Sequence, residues 1–178
     1  MPQSLPDQDW SRFPVIPALL WHQLLQIEPS RHGECEYRPA RVVLRTGQTY
    51  DRVYLVEARR YIRVWGLWPE DSAKKTVELG EVERLEESRL RLPAQLANKV
   101  YDAGESHMGC HVFTVILSDG RRLPCATGNA VDFPSLPEGV TSADVVDVVP
   151  HEGGIGDGSG PPAQLGPDCH WCLYNAPS

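Results

Sequence analysis

Two nine-residue stretches, "VVLRTGQTY" from Val42 to Tyr50 and "VILSDGRRL" from Val115 to Leu123, lie 73 positions apart and share one pattern. Each reads as three apolar residues, two polar ones, a glycine, two polar residues and an apolar one. An apolar run broken by a tight glycine turn buries its apolar side most simply by doubling back as an antiparallel hairpin. A chain that does this twice is constrained towards a mainly β fold, with helices as minor elements.

A second spacing points the same way. Val77, Val82 and Leu85 stand five and three apart, and Val140, Val145 and Val148 repeat those intervals, with an acidic residue before the middle position in each case, Glu81 and Asp144. Hairpin followed by closing element therefore occurs in the same order in both halves. The expected architecture is two tandem small barrels or curled sheets, over 36–92 and 108–151. The succession of strand, glycine turn, strand, bent strand and short last strand resembles SH3-like and Sm-like barrels at the level of fold alone, and carries no activity with it.

Other segments frame these repeats. Within the N-terminal extension, 1–35, "PALLWHQLLQIEPS" sets Leu20, Trp21, Leu24 and Ile27 at helical spacing between Pro17 and Pro29. Residues 93–107 form the connecting helix, with Leu96, Ala97, Val100 and Tyr101 on one face and Gly104 to stop it. Tyr61, Ile62 and Val64 read as further strand material of the first repeat. Residues 152–168 have linker chemistry, six glycines and three prolines, and 169–178 form an apolar tail expected to dock.

The formal net charge of -7 repels phosphate polymers and anionic membranes, so neither a nucleic acid nor a membrane is the expected partner. The longest apolar run, "VIPALLW", falls far short of the roughly 20 residues of a membrane span. With no signal-like start, the expected compartment is the cytoplasm. Five cysteines cannot all pair within one chain, and reduced thiols are the simpler reading.

Four chemistries compete. Cys169 and Cys172 make a C-x-x-C pair, and His107 and Cys110 lie together in "HMGCH"; these four are conditional ligands for a structural zinc, the one cofactor the sequence brings into view. A hydrolase-type enzyme would need a nucleophile, base and acid; Cys125, His111 and Asp119 or Asp132 supply the residue types but no motif that converges them. Seven arginines against two acids between Arg38 and Val64, a balance of +5 interleaved with Tyr50, Tyr54 and Tyr61, is the kind of surface that binds RNA. The segment from Glu70 to Glu87 carries -4, so cross-strand ion pairing is the ordinary alternative. The reading we favour is a non-catalytic protein-interaction or self-assembly module, with a protein partner or a second copy as its target. Trp65 and Trp68 in "WGLWP" and Trp171 and Tyr174 in the tail are its contact groups.

Overall fold

The computed structural model of the chain describes residues 12–66, 74–154 and 162–178. Among the described residues the fold is mainly β, with two sheets and three α-helices. Among the described residues no helix is long and apolar enough to cross a membrane.

Helix α1 (Ala18–Leu25) starts behind Pro17 and leads through β1 (Ser30–His32) into β2 (Cys35–Leu44), which turns at Gly47 into β3 (Thr49–Glu57). Helix α2 (Ala58–Trp65) follows directly, then β4 (Lys75–Thr76), a single 3-10 turn at Leu79–Glu81 and β5 (Val82–Glu87). Helix α3 (Ala94–Ala103) separates these from β6 (His111–Leu117), β7 (Arg122–Thr127), a 3-10 turn at Ser142–Asp144 and β8 (Val145–Pro150). The tail adds β9 (Gln164–Leu165) and β10 (His170–Tyr174).

The first sheet runs β1-β2-β3-β10-β4, with β5 also on β2; the second runs β8-β6-β7-β9. The two hairpins match position by position. The Leu44 N–H donates to the Gln48 carbonyl at 2.8 Å and the Leu117 N–H to the Arg121 carbonyl at 2.9 Å. Gly47 and Gly120 take φ values of +87° and +88°, a region that only glycine enters without strain. Val42 faces Leu85 and Leu44 faces Val82 in one sheet; Val115 faces Val148 and Leu117 faces Val145 in the other. The pairing with each closing strand is irregular at the same place, opposite Val43 and Leu44 of β2 or Ile116 and Leu117 of β6.

Neither sheet closes into a barrel, which corrects the SH3-like and Sm-like expectation. β5 and β8 add to β2 and β6 on the side away from β3 and β7, and the far side of β3 and β7 is taken by a parallel strand from the tail. With that position filled, the ends of each sheet do not meet.

Period-two alternation divides the apolar residues of the first sheet between two cores. Cys35, Tyr37, Tyr54, Val56, Trp171 and Leu173 face a core shared with α2, α3 and the inner face of the second sheet, where Phe113, Val115, Cys125 and Val148 are buried. Ala40, Val42, Leu44, Val53, Leu55, Cys172 and Tyr174 face the other way, onto Leu20, Leu24 and Ile27 around α1. The first sheet is therefore covered on both faces.

Residues 58–65 depart from the expected strand. Ala58, Tyr61 and Ile62 are buried while Arg59, Arg60 and Arg63 lie on the outer side, an i, i+3, i+4 pattern that only a helix satisfies. The arginine-rich stretch is also paired. Arg41 bonds Asp51 at 3.0 Å and Glu86 across β5, and Arg60 lies 3.1 Å from Glu57. Arg38 turns its guanidinium onto the Leu24 carbonyl in the last turn of α1 and the Ile27 carbonyl just beyond it, where a cation complements the helix dipole.

Candidate binding cavity between the sheets

β9 and β10 belong to different sheets, so the tail must cross from one to the other, and a cavity of about 640 Å³ opens along that crossing. Tyr37 and Tyr54 enter it from β2 and β3, Tyr61 and Trp65 from α2, Phe133 from the loop after β7, and Trp171 from β10. Thr127, Asn129, Lys74 and Cys169 supply its polar lining.

The rings brace one another. Tyr54 stacks on Trp171 with centroids 4.6 Å apart, and Tyr37 and Tyr61 meet the same indole edge-on, each at 5.7 Å. Phe133 packs edge-on against Tyr54 at 5.0 Å, tying the second half of the chain to the first. Trp65, 37 % exposed, stands at the rim and donates its indole N–H to the Tyr37 hydroxyl at 3.0 Å. Such contacts restrict rotation, so the walls keep their shape.

A polar layer lies behind these rings. Asp132 is wholly buried, and its carboxylate accepts the Tyr101 hydroxyl at 2.7 Å while Arg91, also buried, approaches to 3.8 Å. Burial pushes the Asp132 carboxyl above the usual carboxylate range, with Arg91 and the tyrosine bonds pulling the other way. Burial, and then the neighbouring Asp132, raises the Tyr54 and Tyr101 hydroxyls as well. His32 stacks on Tyr101 at 4.7 Å and stands 6.1 Å from His111; burial and then His111 lower its pKa. The His111 Nδ1–H donates to the Gly128 carbonyl at 2.9 Å, which assigns the proton, because a carbonyl can only accept.

Burial drives Cys169 up to about 11 and Cys125 up to about 12, so neither holds a thiolate near neutral pH. Cys125 donates to the Leu123 carbonyl, Asp119 is held by Arg121 on the hairpin, and Asp132 accepts the Tyr101 hydroxyl.

The other sequence-derived site residues scatter. Trp65 and Trp171 line the cavity, Tyr174 lies in the core against Trp21 at 6.2 Å, and Trp68 falls outside the described residues. Cys169 sides with the shared core and Cys172 with the α1 core, on opposite faces of the tail strand, while His107 and Cys110 bridge the turn before β6. Three positions along an extended chain reverse the side chain's direction, so this C-x-x-C does not present both thiols to one side. Among the described residues no group of three or more His, Cys, Asp or Glu stands together as a metal would need.

Sequence reading did not bring Tyr37, Phe133 and Lys74 to a site with Tyr54 and Tyr61. Their convergence depends on the tail crossing, for which no local pattern codes. No family model, curated protein or solved structure matches the chain.

Proposed function

We propose that this protein is a non-catalytic binding protein, built from two related curled-sheet units, that grips a side chain of a protein partner in the aromatic cavity at their junction. The observation that carries the reading is the convergence of six aromatic rings, from the first sheet, α2 and the loop after β7, on one preformed cavity of about 640 Å³, within the size range of ligand sites. The cavity already receives a polypeptide side chain, the chain's own Lys74, so its shape suits such an occupant.

Support for the two related units comes from a shift of 73 residues that relates more than the hairpins. It carries Leu24 and Ile27 of the α1 region onto Ala97 and Val100 of α3, all four buried, and Val53 onto Ala126. Val53 and Ala126 each pair with a parallel tail strand, at His170 and Leu165 respectively. In this reading α1 packs over β5 as α3 packs over β8, and the tail serves both units in turn.

Amide NMR during titration with benzyl alcohol, a neutral aromatic probe, tests the cavity. The Thr127, Gly128, Asn129 and Gly166 amides should shift together and saturate. Shifts spread over the surface, or none at these amides up to tens of millimolar probe, would remove the reading.

A further inference from the structure

The Lys74 ammonium lies 4.8 Å from the centroid of the Tyr61 ring and 4.7 Å from that of Trp171, and it also donates to the Tyr61 hydroxyl. These two rings meet at 62°, so they form the two walls of a corner. Trp171 presents the negative face of its π-system to the charge and Tyr61 presents its hydroxyl oxygen, an arrangement that favours a cation over a neutral group of the same size.

The corner is rigid on the protein side. Trp171 is 8 % exposed and stacked on Tyr54 with an interplanar angle of 24°, and Tyr61 is buried on α2. Its occupant is differently held, because Lys74 reaches it on a flexible stem from just before β4. The cavity that continues past this corner has room for more than the lysine tip, and the formal net charge of -7 draws cations towards the surface.

Resting on the proposed binding role, we propose that the Tyr61–Trp171 corner is an alkylammonium site, occupied in the free chain by Lys74, and that a lysine or N-methylated lysine of a protein partner binds by taking Lys74's place. Two ammonium groups cannot share one corner without repulsion, so Lys74 acts as a built-in competitor that sets the partner's affinity. Strength and selectivity then separate: the aromatic walls choose the cation, and Lys74 sets how tightly it is kept.

Choline and its neutral isostere 3,3-dimethylbutan-1-ol, titrated against the full chain and followed by NMR, test this. In the native chain the Lys74 Hε resonances should lie upfield through ring currents and return towards their ordinary position as choline is added. Lys74→Ala, and Lys74→Gln as a second variant, should bind choline about tenfold more tightly than the native chain and in preference to the alcohol. Tyr61→Leu combined with Lys74→Ala should abolish that preference. Equal binding of choline and the alcohol by the lysine variants, or unshifted Lys74 Hε resonances in the native chain, would overturn the cation site while the bound alcohol left the cavity reading standing. Failure of both probes and of benzyl alcohol to bind would overturn both.

Discussion

The backbone N–H of Asp132 donates to the Tyr54 hydroxyl at 3.0 Å, across 78 residues of chain. Tyr54 belongs to the first sheet and Asp132 to the loop that follows the second hairpin, so this buried bond couples the two halves behind the cavity. Tyr101 completes the joint by accepting the Val131 N–H at 3.0 Å while donating to the Asp132 carboxylate.

Loss of these hydroxyls should therefore be graded. Tyr54→Phe leaves one buried N–H without an acceptor and should cost about 1–2 kcal/mol. Tyr101→Phe strands both an N–H and a carboxylate oxygen and should cost about 3 kcal/mol. Urea unfolding at constant m-value measures both. A Tyr101→Phe loss no larger than that of Tyr54→Phe would show that the carboxylate bond contributes nothing.

Asp132 should leave a signature in the pH dependence of stability. Its folded pKa is raised by burial, so the folded chain keeps a proton that the unfolded chain gives up. The resulting stabilisation is present in full below the unfolded carboxyl's range and is lost as pH climbs through the raised folded value. Asp132→Asn removes this titration, and its stability relative to the native chain should rise between pH 4 and pH 7. Urea midpoints for both chains at the two pH values decide it; a constant or falling difference contradicts the direction.

Thiol reactivity should follow burial. All five cysteines are free; Cys35, Cys125 and Cys172 are fully buried and Cys110 and Cys169 partly so. An aromatic disulfide reagent at pH 8 should label Cys110 and then Cys169 in the folded chain, and the other three only in denaturant. Rapid labelling of Cys172, whose thiol burial pushes up to about 12, would mean that the tail strand leaves the sheet readily.

Gly166 is closely packed in the tail crossing. Its N–H donates to the Ala126 carbonyl at 2.8 Å, and a Cβ there would fall 2.9 Å from the Phe133 carbonyl oxygen. Backbone on both sides leaves little to give way, so Gly166→Ala should destabilise by about 1–3 kcal/mol and weaken benzyl alcohol binding through displaced cavity walls. Gly80→Ala, where the added carbon meets nothing within 4 Å, is the control and should leave probe binding unchanged.

How far the sequence could be read depends on the range of the interaction. The hairpins were legible because their partners lie within a few residues and glycine marks each turn: Leu44 and Gln48, or Leu117 and Arg121, find each other through the chain's own connectivity. Helix α2 is hidden from propensity because Tyr61, Ile62 and Val64 are good strand residues. The spacing of Ala58, Tyr61 and Ile62 among exposed arginines held the correcting signal. At the cavity, Trp65 and Trp171 were legible only as large aromatics with unassigned neighbours, since nothing near either residue names Tyr54 or Phe133 as its companion.

By itself, the amino-acid sequence determined the mainly β character, the two glycine-turned hairpins and the apolar spacing of the strands that add to them, since each follows from side-chain period and backbone sterics over short separations. Only the tertiary structure decided that the sheets stay open, that β10 lies parallel to β3 and β9 parallel to β7, and that the crossing between them is walled with aromatic rings. Parallel pairing between distant segments is selected by the burial of whole faces in a shared core, and that selection exists only once the layers have come together.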